Sequence, residues 1–175
     1  SATPEYFDII SNRDDYFLIE CLRENKEIEK IYLSPKVLFF ILIEIIKGNV
    51  GTCYYTSLIK VIDPKVVITF VDYNFAFFKL AKKLDKKYKF IAVQNAHRDL
   101  FDFTEANLKK IYIPEYFCFG QNTIDHYRAF KTNVKNFKII GSPTLSLALK
   151  KINYIEKNKK LNTYICLIAG SIPRV

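Results

Sequence analysis

The sequence predicts an α/β fold with a mainly parallel, Rossmann-like, doubly wound sheet, and three observations carry that expectation. First, Val66-Val67-Ile68-Thr69-Phe70-Val71 and Phe90-Ile91-Ala92-Val93 are short, nearly all apolar, and break off into the polar runs Asp72-Tyr73-Asn74 and Gln94-Asn95. Second, Tyr73, Phe77, Leu80, Ala81 and Leu84 recur between them at the spacing of one helix face. Strand, helix and strand in so short a span make a βαβ crossover, whose strands run parallel. Third, neither run alternates apolar with polar, as expected of strands covered on both faces.

The other elements follow in order. Residues 4–10 read as a first strand with Phe7, Ile9 and Ile10 inward, after Ser1-Ala2-Thr3, which are expected to lie outside the fold. Asn12 reads as an N-cap, with Asp14 and Asp15 in the first turn and Leu18, Cys21 and Leu22 on the apolar face of that helix. Residues 28–33 read as a second strand. Ser34 as cap and Pro35 at the first position start a helix that stops at Gly48. It is apolar nearly all round, so burial is expected; lying on a membrane surface is the alternative. Tyr55, Leu58, Ile59 and Ile62 mark another helix, closed by Asp63-Pro64.

After the central unit, residues 100–114 are expected to form an irregular loop with a short helix or extra turn. Residues 116–119 form a compact strand, and Ile124, Tyr127 and Lys131 stack on one side of the next helix. Residues 137–140 form a strand ending at Gly141-Ser142-Pro143, and Leu145, Leu149 and Ile152 are the expected buried stripe of the helix behind it. A first domain therefore spans 4–152, followed by a basic linker over 153–162. Residues 163–168 are one more strand, which either opens a further, truncated α/β unit over 163–175 or inserts into this sheet.

The net charge of +9 implies anionic partners. The lysines are dispersed at helix ends and turns, as on solvated faces. Arginine is scarce, and a nucleic-acid groove wants clustered arginines with exposed aromatics, so no nucleic acid is expected. The cysteines at 21, 53, 118 and 166 form no C-x-x-C pair, and there are only 2 histidines, so no metal site is expected. Cysteines packed as small hydrophobes fit a reducing, cytoplasmic compartment. Neither G-x-G-x-x-G nor G-x-x-x-x-G-K-[ST] occurs, and no cofactor is expected.

In parallel sheets ligands bind just beyond the carboxyl ends of the strands. Asp72, Asn74, Gln94, Asn95, His97 and Arg98 fall there. His97 titrates in the range suited to taking a proton from a hydroxyl, with Asp72 or Asp99 to orient the ring; the alternative is a loop histidine satisfied locally. Arg98 either contacts a phosphate or carboxylate or forms a surface ion pair. Asn74 either lines the crevice or caps the next helix. Gly120-Gln121 and Gly141-Ser142, at strand-to-helix junctions, either turn backbone N–H groups toward an anion or simply serve tight turns.

In this order, Asp72-Tyr73-Asn74, Gln94-Asn95-Ala96-His97-Arg98, Tyr116-Phe117-Cys118-Phe119-Gly120 with Asp125 and Tyr127, and Ile140-Gly141-Ser142-Pro143 resemble the N-terminal half of GT-B-type transferases that make bacterial surface carbohydrate (O-antigen, lipopolysaccharide and capsule). The chain is more distantly similar to CDP-glycerol glycerophosphotransferases, whose Gln-x-x-His-Gly pattern is matched at Gln94 and His97 and departed from at Arg98. The resemblance covers roughly 60–150 well. It implies an acceptor-side domain with His97 as catalytic base and Asp72, Asn74, Gln94, Asn95, Arg98, Gly120, Gln121, Gly141 and Ser142 in the cleft. The implied partners are a nucleotide-activated sugar or polyol donor and a glycan or lipid-linked acceptor at the inner membrane. It also implies a C-terminal donor domain, with 163–169 as its first strand, so the chain alone is an incomplete enzyme. A non-catalytic sugar- or nucleotide-binding module is the alternative.

Overall fold

A computed structural model describes residues 31–96, 108–143, 145, 146 and 149. The chain divides into two compact units, residues 1–142 and 143–175.

In the first unit, helix α1 spans Pro35–Ile46. Ser34 caps it, its Oγ accepting from the Val37 N–H at 3.2 Å. A single 3-10 turn, Val50–Thr52, leads into α2, Cys53–Ile62. Asp63 closes α2 in the left-handed region, φ 49°, and its carboxylate accepts from Lys87 Nζ at 2.8 Å and from the Tyr88 hydroxyl at 2.9 Å. Strand β1 is Val66–Thr69, α3 is Phe75–Leu84 and β2 is Lys89–Val93. Strand β3 is Tyr112–Cys118, α4 is Gln121–Ala129 and β4 is Asn133–Ile139.

The four described strands form one sheet in the order β1-β2-β3-β4, every neighbour parallel. The expected Rossmann-like, mainly parallel α/β class is thus present. Parallel crossovers of one hand, stepping always in one direction, place their helices on the same face. Phe77, Phe78, Leu80, Ala81 and Leu84 of α3 and Ile124 and Tyr127 of α4 accordingly pack with Phe90, Ala92, Tyr116 and Cys118 of the sheet. Ile59 of α2 joins this cluster. Fully burying side chains of this size is worth roughly 1.5–3 kcal/mol each. The opposite face carries a smaller group, Phe70, Ile91 and Val93, with Ile68 and Phe117 against it.

Four expectations are corrected. First, α1 is not buried: only Val37 and Glu44 are, while Leu38, Phe39, Leu42, Ile45 and Ile46 are exposed. The reason is Glu44, which turns the other face of the helix inward. It is 1% exposed and paired with Lys60 of α2 at 2.6 Å and with Lys83 of α3. Second, β3 begins at Tyr112, inside the expected loop, because its β4 ladder steps from Ile113↔Val134 to Glu115↔Asn136 and so passes over Pro114. Third, β4 begins at Asn133, four positions before the expected start at Phe137. Fourth, Leu145 and Leu149, in the second unit, are exposed rather than a buried stripe.

Cys118 is buried and Cys53 half-buried. The expected elements over 4–33, most of the 100–114 loop, Ile152, the 153–162 linker and the 163–168 strand fall outside the described residues, wholly or, for 28–33, in part. Among the described residues no helix is long and apolar enough to cross a membrane.

Candidate functional site

All four strands point the same way, so their carboxyl ends share one edge of the sheet. The polar segments after β1 (Asp72, Asn74), β2 (Gln94, Asn95), β3 (Gly120, Gln121) and β4 (Gly141, Ser142) therefore lie along one rim. His97 and Arg98 lie outside the described residues, directly after Ala96, which is exposed.

After β1 the chain turns tightly. The Val71 N–H donates to Thr69 Oγ1 at 3.1 Å and the Asn74 N–H to the Val71 carbonyl at 3.1 Å. Asp72 falls within this turn and is completely buried. Its Oδ2 accepts from the Tyr116 hydroxyl at 2.7 Å, and the Tyr127 hydroxyl donates to that of Tyr116 at 3.4 Å. A polar chain thus runs from α4 through β3 to the end of β1, beneath the rim. Burial pushes the Tyr116 hydroxyl far above the usual tyrosine range, and Tyr127 and Asp72 push it further, so it remains a donor. Asp72 is a core anchor, closed off from an opening.

Asn74 is the α3 cap: its Oδ1 accepts from the Ala76 N–H at 2.9 Å and the Phe77 N–H at 3.2 Å. Gln94 is 1% exposed and fastens three elements together. Its Oε1 accepts from the Phe119 N–H after β3 at 2.8 Å and from the Thr123 hydroxyl of α4 at 3.2 Å. Its Nε2 donates to the Ala96 carbonyl at 2.9 Å, which anchors the segment leading to His97. A backbone N–H can only donate, so the orientation of the Gln94 amide is fixed.

The remaining rim positions are more open. Asn95 is exposed. Gly120 is the α4 cap in extended backbone, and Gln121 is exposed, its Nε2 donating to Asp125 Oδ1 at 2.8 Å. Gly141 has φ 73°, a conformation that favours glycine, so a tight turn explains its place after β4. Ser142 is half-buried. Among the described residues no group of three or more His, Cys, Asp or Glu side chains could hold a metal ion.

The rim thus gathers the predicted residues while dividing them. Asp72, Asn74 and Gln94 are joined to the fold, and Asn95, Gly120, Gln121, Gly141 and Ser142 lie nearer solvent. Sequence reasoning missed Tyr116, Tyr127 and Thr123 as partners. The signal for Tyr116 was there: a tyrosine in an apolar strand needs somewhere to put its hydroxyl. No family model, curated protein or solved structure matches the chain.

Proposed function

We propose that this chain is the acceptor-side half of a glycosyltransferase or polyol-phosphate transferase of bacterial surface polysaccharide biosynthesis, acting on the cytoplasmic side of the membrane. The observation that supports this reading most is the rim of parallel strand ends, the usual ligand edge of such sheets. His97 follows β2 on the segment that Gln94 pins through the Ala96 carbonyl. In this reading His97 takes the proton of the acceptor hydroxyl as that oxygen attacks either the activated phosphate, breaking the P–O–P bond and releasing a nucleoside monophosphate, or the anomeric carbon, breaking its C–O bond and releasing a nucleoside diphosphate, while Asn95, Arg98, Gln121 and Ser142 contact the substrate. Gln94, Asp72 and Asn74 then act as positioning residues beneath it. A nucleotide-activated sugar or polyol is the donor and a glycan or lipid-linked chain the acceptor.

The test is transfer by the full-length protein from CDP-glycerol or nucleotide-activated hexoses to a lipid-linked acceptor. His97→Ala is expected to lower turnover roughly a hundredfold to ten-thousandfold, the usual worth of a general base. Unchanged turnover removes His97 from this role.

A second reading, a non-catalytic module that binds a sugar or nucleotide, is favoured by one observation. Three rim candidates already spend their side chains on the fold: Asp72, Asn74 and Gln94. Calorimetric binding of the same donors without turnover would select it.

A further inference from the structure

Helix α1 is inside out. At 100° per residue, Leu38, Phe39, Leu42, Ile45 and Ile46 fall on one continuous arc, and all five are exposed, Ile46 at 85%. The opposite side holds the carboxylate of Glu44, buried and paired with Lys60 and Lys83. Asn49 Nδ2 also donates to it, at 3.1 Å. These contacts from α2, α3 and the segment after α1 fix the rotation of the helix, so its apolar arc faces outward by construction. Just before the helix, Ile31 and Leu33 are also exposed, at 61% and 62%. The Tyr32 N–H donates to the Tyr54 side-chain hydroxyl at 2.9 Å, which ties that approach to α2.

We propose that α1 lies flat in an anionic lipid surface, with this arc among the acyl chains. Charge supports lipid over a second copy of the chain. Exposed Lys36 and Lys47 stand at the two ends of the helix, and the whole chain carries +9. Lysines at the ends of an apolar helix can extend their ammonium groups into the headgroups while their stems stay with the apolar surface. Two copies of so basic a chain repel each other, whereas an anionic bilayer attracts both. A helix of 12 residues is about 18 Å long, well short of a hydrocarbon core of about 30 Å, so it lies in the surface plane. This inference rests on α1 and on the basic charge of the chain, and stands apart from the transferase reading.

The experiment is co-sedimentation of the full-length protein with vesicles of phosphatidylcholine, with and without phosphatidylglycerol. Binding is expected to the anionic vesicles and to weaken with added salt. Leu42→Gln combined with Ile46→Gln leaves the net charge unchanged and alters only exposed positions, so its thermal melt should match the parent. It is expected to lose roughly tenfold or more in vesicle partitioning. Lys36→Gln combined with Lys47→Gln should reduce the preference for anionic vesicles. No binding by the parent, or equal binding by the Leu42/Ile46 variant, overturns the proposal. So does a dimer in solution that this variant dissolves, which would make a second copy the occupant. Slow hydrogen exchange of α1 that addition of vesicles leaves unchanged, together with an arc already inaccessible to labelling, would assign the cover to the chain itself and equally overturn it.

Discussion

Replacing Glu44 by Gln should destabilise the protein by about 2–3 kcal/mol at neutral pH, and the loss should vanish in acid. Each charge-assisted hydrogen bond of a buried carboxylate is worth about 1.5–3 kcal/mol. Glu44 accepts two from lysines. Breaking a fully buried ion pair costs about 3–5 kcal/mol because the partner charge is stranded. Here the Lys60 and Lys83 side chains are 25% and 27% exposed, so they regain water, and the figure falls to about 2–3 kcal/mol. Gln retains an oxygen for the Asn49 amide. Burial alone would push the Glu44 carboxyl up, but the hydrogen bonds and charges of Lys60 and Lys83 outweigh it and hold it below its ordinary value of 4.5. A carboxyl depressed in the folded state stabilises fully above its unfolded value, and that contribution drains away as pH falls through the folded value. Gln does not titrate, so the gap between the two proteins should close as pH drops below 4.5. Urea midpoints measured from neutral pH down to about pH 3 would follow it. Equal midpoints at neutral pH, or a gap that stays constant into acid, would refute the reasoning.

The rim gives two further tests besides those for His97 and α1. Gln94→Leu leaves the Phe119 N–H, the Thr123 hydroxyl and the Ala96 carbonyl without their partner, and should cost about 2–3 kcal/mol by thermal or urea unfolding; an unchanged melt would deny it the fastening role. Asn74→Ala should cost about 1 kcal/mol, whereas Asn74→Asp, which caps equally well, should stay within a few tenths; equal stability of the two variants would argue against the cap.

Much of the fold could be read in advance because its signals are local. The β1-α3-β2 unit declares itself through apolar runs, a helix period and the Asn74 cap. What local periodicity missed depends on contacts far along the chain. A helix as apolar as α1 looks destined for the core until Lys60 and Lys83 are known to meet at Glu44. The start of β3 fell inside the expected 100–114 loop, yet a ladder that passes over Pro114 tolerates its missing N–H. The candidate site shows the same division. Strand ends do assemble the polar residues, but residue type alone does not separate those that face a ligand from those that tie strands together. Gln94 and Asn95 are adjacent amides at the end of one strand, and only the first is buried.

The sequence of pairing in the sheet has a consequence for how the molecule is made. Each described strand docks beside the one synthesised just before it, so none has to wedge between two that are already joined. As the chain leaves the ribosome, β1 can serve as template for β2, β2 for β3 and β3 for β4, so among the described strands growth can run in a single direction. Assembly of this kind needs only the portion already made, which spares the emerging protein a long wait with unpaired backbone open to its neighbours.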